Sequence, residues 1–249
     1  APGGSYDVPL EQAKREITIF DLMTHTAGLT YSSGITGFGD VADAYRDLGL
    51  MTLESVAFSQ WGNLKTQTEK LSQMPLVGHP GEKFIYSVSM DVLGRVVEVA
   101  SGRSLSQLFK NRIFEPVDMR SSAFRVSNEN QNRLARVYQP QIRTYPIPGN
   151  YNRYEAFSGL PKNEKNWGLS DKGYLSGGAG LMSTANDYAK FVKLLADDLV
   201  IDGASLLSKD LKDKYFSHQL PPELGSSPMV YSLGGAAKNA GYAFGLGVV

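Results

Sequence analysis

Apolar positions return at helical spacing in several stretches of this chain, and polar residues of capping type stand in front of most of them. Thr18-Ile19-Phe20-Asp21 has the T-x-x-D pattern of a helix start, with Leu22 and Met23 in register with Ile19, and Gly28 is expected to end that short helix. A longer helix is predicted from about Ser87 to Ser101, with Val88, Val92, Val96 and Val99 on one stripe and Gly102 at its end. Ser104-Leu105-Ser106-Gln107 is a capping box, followed by an apolar face of Leu105, Leu108, Phe109 and Ile113 and a stop at Pro116. Thr184-Ala185-Asn186-Asp187 opens a helix with Tyr188, Phe191, Val192 and Leu195 on one side. Ser208 caps another through Leu211 and Tyr215.

Strand signals are sparse. The best is the final segment, Tyr242 to Val249, and a strand there needs a neighbour to pair with. Between Arg125 and Lys172 the periodicity fades, and tyrosines and Trp167 alternate with Pro140, Pro146, Pro148 and Pro161. Short strands and turns covering a core edge are the expectation there, with some tyrosines lining a cleft as the minority reading. Trp61 and the charged stretch from Lys65 to Lys70 read as a surface segment.

Composition narrows the possibilities further. The 249 residues allow one large domain or two small ones. With 25 basic against 25 acidic residues, no net charge draws the chain to nucleic acid or to an anionic membrane. The absence of cysteine excludes a thiol nucleophile, thiolate metal ligation and a disulfide framework, and leaves the compartment open. The three histidines, His25, His79 and His218, are too scattered for a histidine metal site, although carboxylate ligation stays open. No apolar run approaches the ~20 residues that span a bilayer.

Common catalytic signatures are missing. There is no G-x-S-x-G, no phosphate-binding G-x-x-x-x-G-K-S/T and no G-x-G-x-x-G. No lysine has a serine three residues before it, so S-x-x-K is absent as well. Gly177-Gly178-Ala179-Gly180 suits a turn or a close backbone approach better than a phosphate cradle.

Four blocks carry more information. They are Ile17 to Leu29 (ITIFDLMTHTAGL); Pro80-Gly81-Glu82-Lys83-Phe84-Ile85-Tyr86-Ser87-Val88 running on through Leu93 to Gly102; Ile113-Phe114-Glu115-Pro116-Val117-Asp118-Met119; and Gly177 to Asp187 (GGAGLMSTAND). In this order they resemble the serine β-lactamase-like family, which includes class C β-lactamases, penicillin-binding D-Ala-D-Ala peptidases and esterases of the same fold. The third block is similar to the family's I-F-x-P-L-G-M, and the fourth to its G-G-G-L-x-S-T-x-x-D.

The resemblance implies an α+β fold, an antiparallel sheet flanked by helices plus a helical region, of which this chain covers mainly the helical region and one C-terminal strand. It implies a serine and a lysine from S-x-x-K as nucleophile and base partner, with a tyrosine from Y-x-N completing the proton relay. A serine hydroxyl needs a base within hydrogen-bond reach. Tyr86 matches that tyrosine and is the expected catalytic residue, placed just before a helix start that favours a phenolate. Ser87 and Val88 are the expected substrate-lining residues. Val88 departs from the family's Asn, whose amide serves lactam and peptide substrates, and this favours an esterase reading. The His-Thr pair makes His25 structural, and His79 is expected in a turn.

In the family, S-x-x-K precedes the His-Thr block and a K-T-G or W-G-G strand follows the last one. Residues 1–249 are therefore expected to be an internal portion of one catalytic domain. The implied reaction is two-step acyl transfer on a small-molecule ester, with no metal or organic cofactor, no nucleic-acid partner and no membrane span. A β-lactamase or D-amino peptidase of the same fold, and a binding-only member without catalysis, are the alternatives.

Overall fold

The computed structural model describes residues 9–32, 39–50, 62–135, 138–140, 154–156, 174–196, 200–201, 203–220 and 224. In chain order these form α1 (Ile19–Met23), α2 (Gly39–Asp47), α3 (Leu64–Leu71), α4 (Ser89–Ser101) and α5 (Leu105–Phe109). A π-helical turn (Lys110–Phe114) and a 3-10 turn (Asn128–Arg133) follow. Then come β1 (Tyr138–Pro140), β2 (Tyr154–Ala156), α6 (Ala185–Ala196), β3 (Val200–Ile201), β4 (Ala204–Ser205) and α7 (Lys209–Phe216). Among the described residues the architecture is mainly helical, with two short antiparallel pairs, β1–β2 and β3–β4. The C-terminal strand expected from Tyr242 to Val249 lies outside the described residues. So do Trp61 and most of the tyrosine- and proline-rich stretch, where β1 and β2 are the short strands seen.

α1 starts as its sequence indicates, since Thr18 and Asp21 form a reciprocal capping box. It ends earlier than expected. The chain leaves the helix at Met23, not at Gly28, because His25 takes a left-handed conformation at φ 55°. The Thr26 N–H then donates to the Asp21 carbonyl (2.9 Å) and the His25 N–H to the Leu22 carbonyl (3.4 Å), the bond pair of a Schellman ending. Gly28, at φ 77°, serves a separate turn where its carbonyl accepts from Val77 and a side chain would collide with the Gly78 backbone.

α4 is the central strut, packed against α1, α3 and α5. Its inner face, with Val88 just ahead of it and Val92, Leu93, Val96 and Val97 along it, joins Leu22, Leu64, Leu71 and Leu105 in one core. Val99, expected on the same stripe, is 65% exposed, because the last turn of α4 runs past the edge of that core. The supposed surface segment at Lys65–Lys70 is helix α3. Asn63 and Thr66 cap it reciprocally, and Leu64, Gln67 and Leu71 turn one face inward while the lysines stay out.

Ser104 and Gln107 cap α5 as expected, but the helix widens into the π turn before Pro116 instead of running straight to it. Past that proline, Asp118 is left-handed at φ 58°, and Met119 and Asp118 donate back to Phe114 and Glu115 in a second Schellman ending. This is the position where the family's block has glycine. Thr184 caps α6, yet its buried residues are Asp187 and Leu194, whereas Tyr188 and Val192, expected on the inner side, are exposed. Ser208 caps α7 as read from the sequence, and Leu211 on it is exposed.

Candidate active site

Three buried aspartates anchor the segments that carry the motif blocks. Asp21, in α1, receives two hydrogen bonds from the Arg15 guanidinium (2.6 and 2.8 Å), two from the Thr18 N–H and hydroxyl (2.8 and 2.7 Å) and one from the Thr26 hydroxyl (3.2 Å). Burial alone would raise its pKa, but the bonds from Arg15 and Thr18 outweigh it and hold the carboxyl well below the usual range. The same guanidinium lies against Gly81, where a side chain would displace it.

From this anchor a short ladder runs to the second block. The Gly81 N–H donates to the Thr26 carbonyl (2.8 Å), the Ile85 N–H to the His25 carbonyl (2.8 Å), and the Ser87 N–H to Nδ1 of the His25 ring (3.2 Å). His25 is thus structural, as its motif implies. Burial lowers its pKa to about 4, so near neutrality the ring is uncharged, and the bond accepted at Nδ1 places its proton on Nε2. His79 sits at the turn leading into this segment, with Nε2 3.0 Å from a Glu11 carboxylate oxygen.

Tyr86 lies between the last two rungs of the ladder. Its ring packs on His25, centroids 4.7 Å apart, and on Tyr31 at 5.8 Å. The side chain is 44% exposed, in a segment whose neighbours Ile85, Ser87 and Val88 are buried. Ser87 turns inward and its Oγ pairs with the buried Ser89 hydroxyl at 2.8 Å. Val88 is fully buried in the core at the foot of α4. Of the three residues singled out in the sequence, Tyr86 presents atoms outward and the other two form its backing.

Asp91, in the first turn of α4, is the second aspartate. It accepts from the Ser176 hydroxyl (2.5 Å) and the Gly177 N–H (3.1 Å), and Ser176 Oγ in turn accepts from the N–H groups of Gly178 and Ala179. Burial raises the Asp91 pKa against these donors. Burial and the adjacent carboxylate push the neighbouring Tyr174 phenol upward too. Gly177 approaches so closely that a Cβ would overlap the Met90 carbonyl. The glycine block therefore makes a close backbone approach, as its composition suggested.

Asp187 is the third. It accepts from the Ser121 N–H (2.7 Å) and the Ser122 hydroxyl (3.0 Å), joining the fourth block to the residues just past the third. Lys190, one turn on, bonds the carbonyl and carboxylate of Asp118. Sequence reasoning missed Arg15, Tyr31, Asp91 and Ser176. Only Asp91 carried a signal, as a lone acid among the apolar residues at a helix start.

The arrangement delivers one phenol to the outside on a rigid mount, suited to moving a proton. Among the described residues, no group of three or more histidine, aspartate or glutamate side chains is placed to hold a metal ion, and no helix is long and apolar enough to cross a membrane.

Comparison with known proteins agrees with the motifs. Protein Rv1367c of Mycobacterium tuberculosis is 32% identical over 200 residues, covering 80% of this chain and 43% of the relative. Esterase EstB of Burkholderia gladioli is 31% identical over 188 residues, covering 72% and 44%. The structure of EstCE1, described as a hydrolase with promiscuous acyltransferase activity, superposes with a TM-score of 0.64 at 24% identity, over 93% of this chain and 55% of that one. The fold is thus the β-lactamase/transpeptidase-like one, and the chain spans about half the length of the curated relatives it matches. The pattern of the Beta-lactamase family matches residues 6–246, and the chain belongs to that family.

Proposed function

We propose that this chain supplies the proton-relay tyrosine of a serine hydrolase that cleaves carboxylic esters of small molecules through an acyl-enzyme. The observation that carries the reading is the setting of Tyr86, an outward phenol whose neighbours in the motif are closed off and whose ring rests on the neutral His25. The nucleophilic serine and its lysine belong, in this reading, to sequence outside the 249 residues. The serine oxygen adds to the ester carbonyl while its proton passes to the Tyr86–lysine pair. That proton leaves with the alcohol; water then attacks the acyl-serine, giving its own proton to the same pair, which returns it to the serine oxygen as the acid leaves. No metal or organic cofactor enters the scheme. Ser87 and Val88 act from behind the tyrosine, fixing its height above the core. The relationship to esterase EstB supports an ester substrate over a lactam.

The test uses the full-length protein with p-nitrophenyl acetate and with nitrocefin, alongside labelling by a fluorophosphonate probe. Ester turnover and labelling, both largely lost in Tyr86→Phe, are the expected result. Rapid nitrocefin hydrolysis with little ester cleavage would replace the ester reading with a lactam one, and absence of both activities and of labelling would leave a binding protein. The promiscuous acyltransferase activity of EstCE1 favours one second reading, in which an alcohol takes the place of water in the second step. Formation of a new ester when a primary alcohol is added to the assay identifies it.

A further inference from the structure

The arm ahead of α1 runs along the turn that leads to Tyr86 and is fastened to it by charge. A Glu11 carboxylate oxygen lies 3.0 Å from Nε2 of His79, and the Lys14 ammonium donates to the Glu82 carboxylate (2.6 Å). Glu11, Lys14 and Glu82 are exposed, so solvent screens both pairs and each contributes little. Arg15 is different. Its planar fork grips both carboxylate oxygens of the buried Asp21, and its guanidinium fills the place that a side chain on Gly81 would take. A ring of contacts closes there. Asp21 accepts from the Thr26 hydroxyl and, at its carbonyl, from the Thr26 N–H; the Thr26 carbonyl accepts from the Gly81 N–H; and Gly81 lies back against the guanidinium. Tyr86 follows five residues after Gly81, between the Ile85 and Ser87 amides that donate to His25.

We infer that Arg15 is a positioning residue for Tyr86: its guanidinium brackets α1 to the Pro80–Gly81 turn and so sets where the tyrosine segment leaves that turn. The inference rests on the catalytic reading of Tyr86. Two tasks fall on one planar group, pairing with a carboxylate and packing against a bare backbone. A lysine ammonium could neutralise Asp21, but as a point charge it has no plane to fill the space at Gly81. Without Arg15, Asp21 keeps its donors from Thr18 and Thr26, so the cap of α1 survives. The turn, by contrast, loses the group packed against its backbone. The consequence therefore falls on the residue the turn delivers, and a displacement of about 1 Å at a reacting group can cost on the order of a hundredfold in rate.

In the full-length protein, Arg15→Ala is expected to lower kcat for p-nitrophenyl acetate about tenfold with little change in KM. Millimolar guanidinium chloride is expected to restore most of that kcat, because the free ion fits between Asp21 and Gly81. Methylammonium chloride, which carries the charge without the fork, is not. Arg15→Lys is expected to stay impaired for the same reason, and it decides the matter should Arg15→Ala not fold. Full kcat in either variant overturns the inference. So does a fall in Arg15→Ala that guanidinium leaves unrepaired, or that methylammonium repairs equally, since these mark a loss of fold or of charge alone. Amide exchange gives a reading without turnover. Faster exchange at Gly81, Ile85 and Ser87 in the variant, slowed again by guanidinium and with Gly102 and Leu108 unmoved, supports the bracket. Exchange unchanged at those three amides, or raised throughout, refutes it. If Tyr86→Phe keeps full activity, the proposed function fails instead, and the exchange result alone decides whether Arg15 holds the segment.

Discussion

The backbone N–H of Ser87 donates to Nδ1 of His25, 3.2 Å away and 62 residues earlier in the chain. An imidazole that accepts a bond at Nδ1 cannot carry a proton there, and this ring is buried between α1 and the tyrosine segment. The hydrogen bond and the burial both select the neutral form. The ring that supports Tyr86 is therefore sound only while it stays uncharged.

This sets a pH window for stability. The folded His25 titrates at about 4 and the unfolded residue near the ordinary 6.5, so between those values the unfolded state binds more protons. Stability from this group is whole above about pH 6.5, falls as the pH drops, and is exhausted below about pH 4, a loss on the order of 3 kcal/mol. Urea unfolding of wild type and of His25→Gln at pH 7 and pH 4.5 checks it. The pH-dependent part of the difference between the two proteins should follow that window.

Arg15→Ala strips the Asp21 carboxylate of its guanidinium while leaving it buried. Arg15 itself is exposed, so solvent screens the pair and the variant is expected to lower stability by less than the loss of a fully buried ion pair would. The Asp21 pKa lies below its unfolded value, so its contribution is present above the usual carboxylate range and is lost as pH falls further. Chemical denaturation at pH 7 and pH 3 should therefore show a smaller effect of the variant at the lower pH.

Gly177→Ala drives a methyl group into the Met90 carbonyl at the first turn of α4. Overpacking of this kind costs about 1–3 kcal/mol. Because Gly177 also donates to Asp91, the variant is expected to disturb the glycine loop and α4 together, read as a lower melting temperature and faster amide exchange at Ser176–Ala179.

Val88→Asn restores the residue of the family motif but does so at a fully buried position in the core. The amide loses its hydration there, and about 2 kcal/mol of stability is expected to go with it. In the full-length protein the variant should gain no nitrocefin hydrolysis. A gain would mean that the side chain reaches substrate after all.

Local chemistry explains which of these features the sequence revealed. Thr18–Asp21, Ser104–Gln107 and Thr184–Asp187 are contiguous patterns whose partners lie three residues apart, and each cap forms where it was read. The Asn63–Thr66 cap was just as local, but the charged run behind it hid the inward spacing of Leu64, Gln67 and Leu71. Val200-Ile201-Asp202-Gly203 carries a D-G hairpin signal in the sequence beside the β3–β4 pair. Tyr86 was legible from its motif. Its mount was not, because Tyr31, Asp91 and Ser176 act through contacts between distant segments that leave no spacing to read.

His25 and Asp118 share a backbone shape that usually belongs to glycine, and each closes a helical segment. For Asp118 the side chain is spent on a surface tether to Lys190. For His25 the residue that stops the helix is also the wall behind the Tyr86 ring. Chain reversal and site construction are thus assigned to a single position, and glycine could fulfil only the first. His25→Gly would keep the left-handed helix end while emptying the space behind Tyr86 and leaving the Ser87 N–H without its acceptor, so helix termination and the mounting of Tyr86 can be told apart there by one substitution.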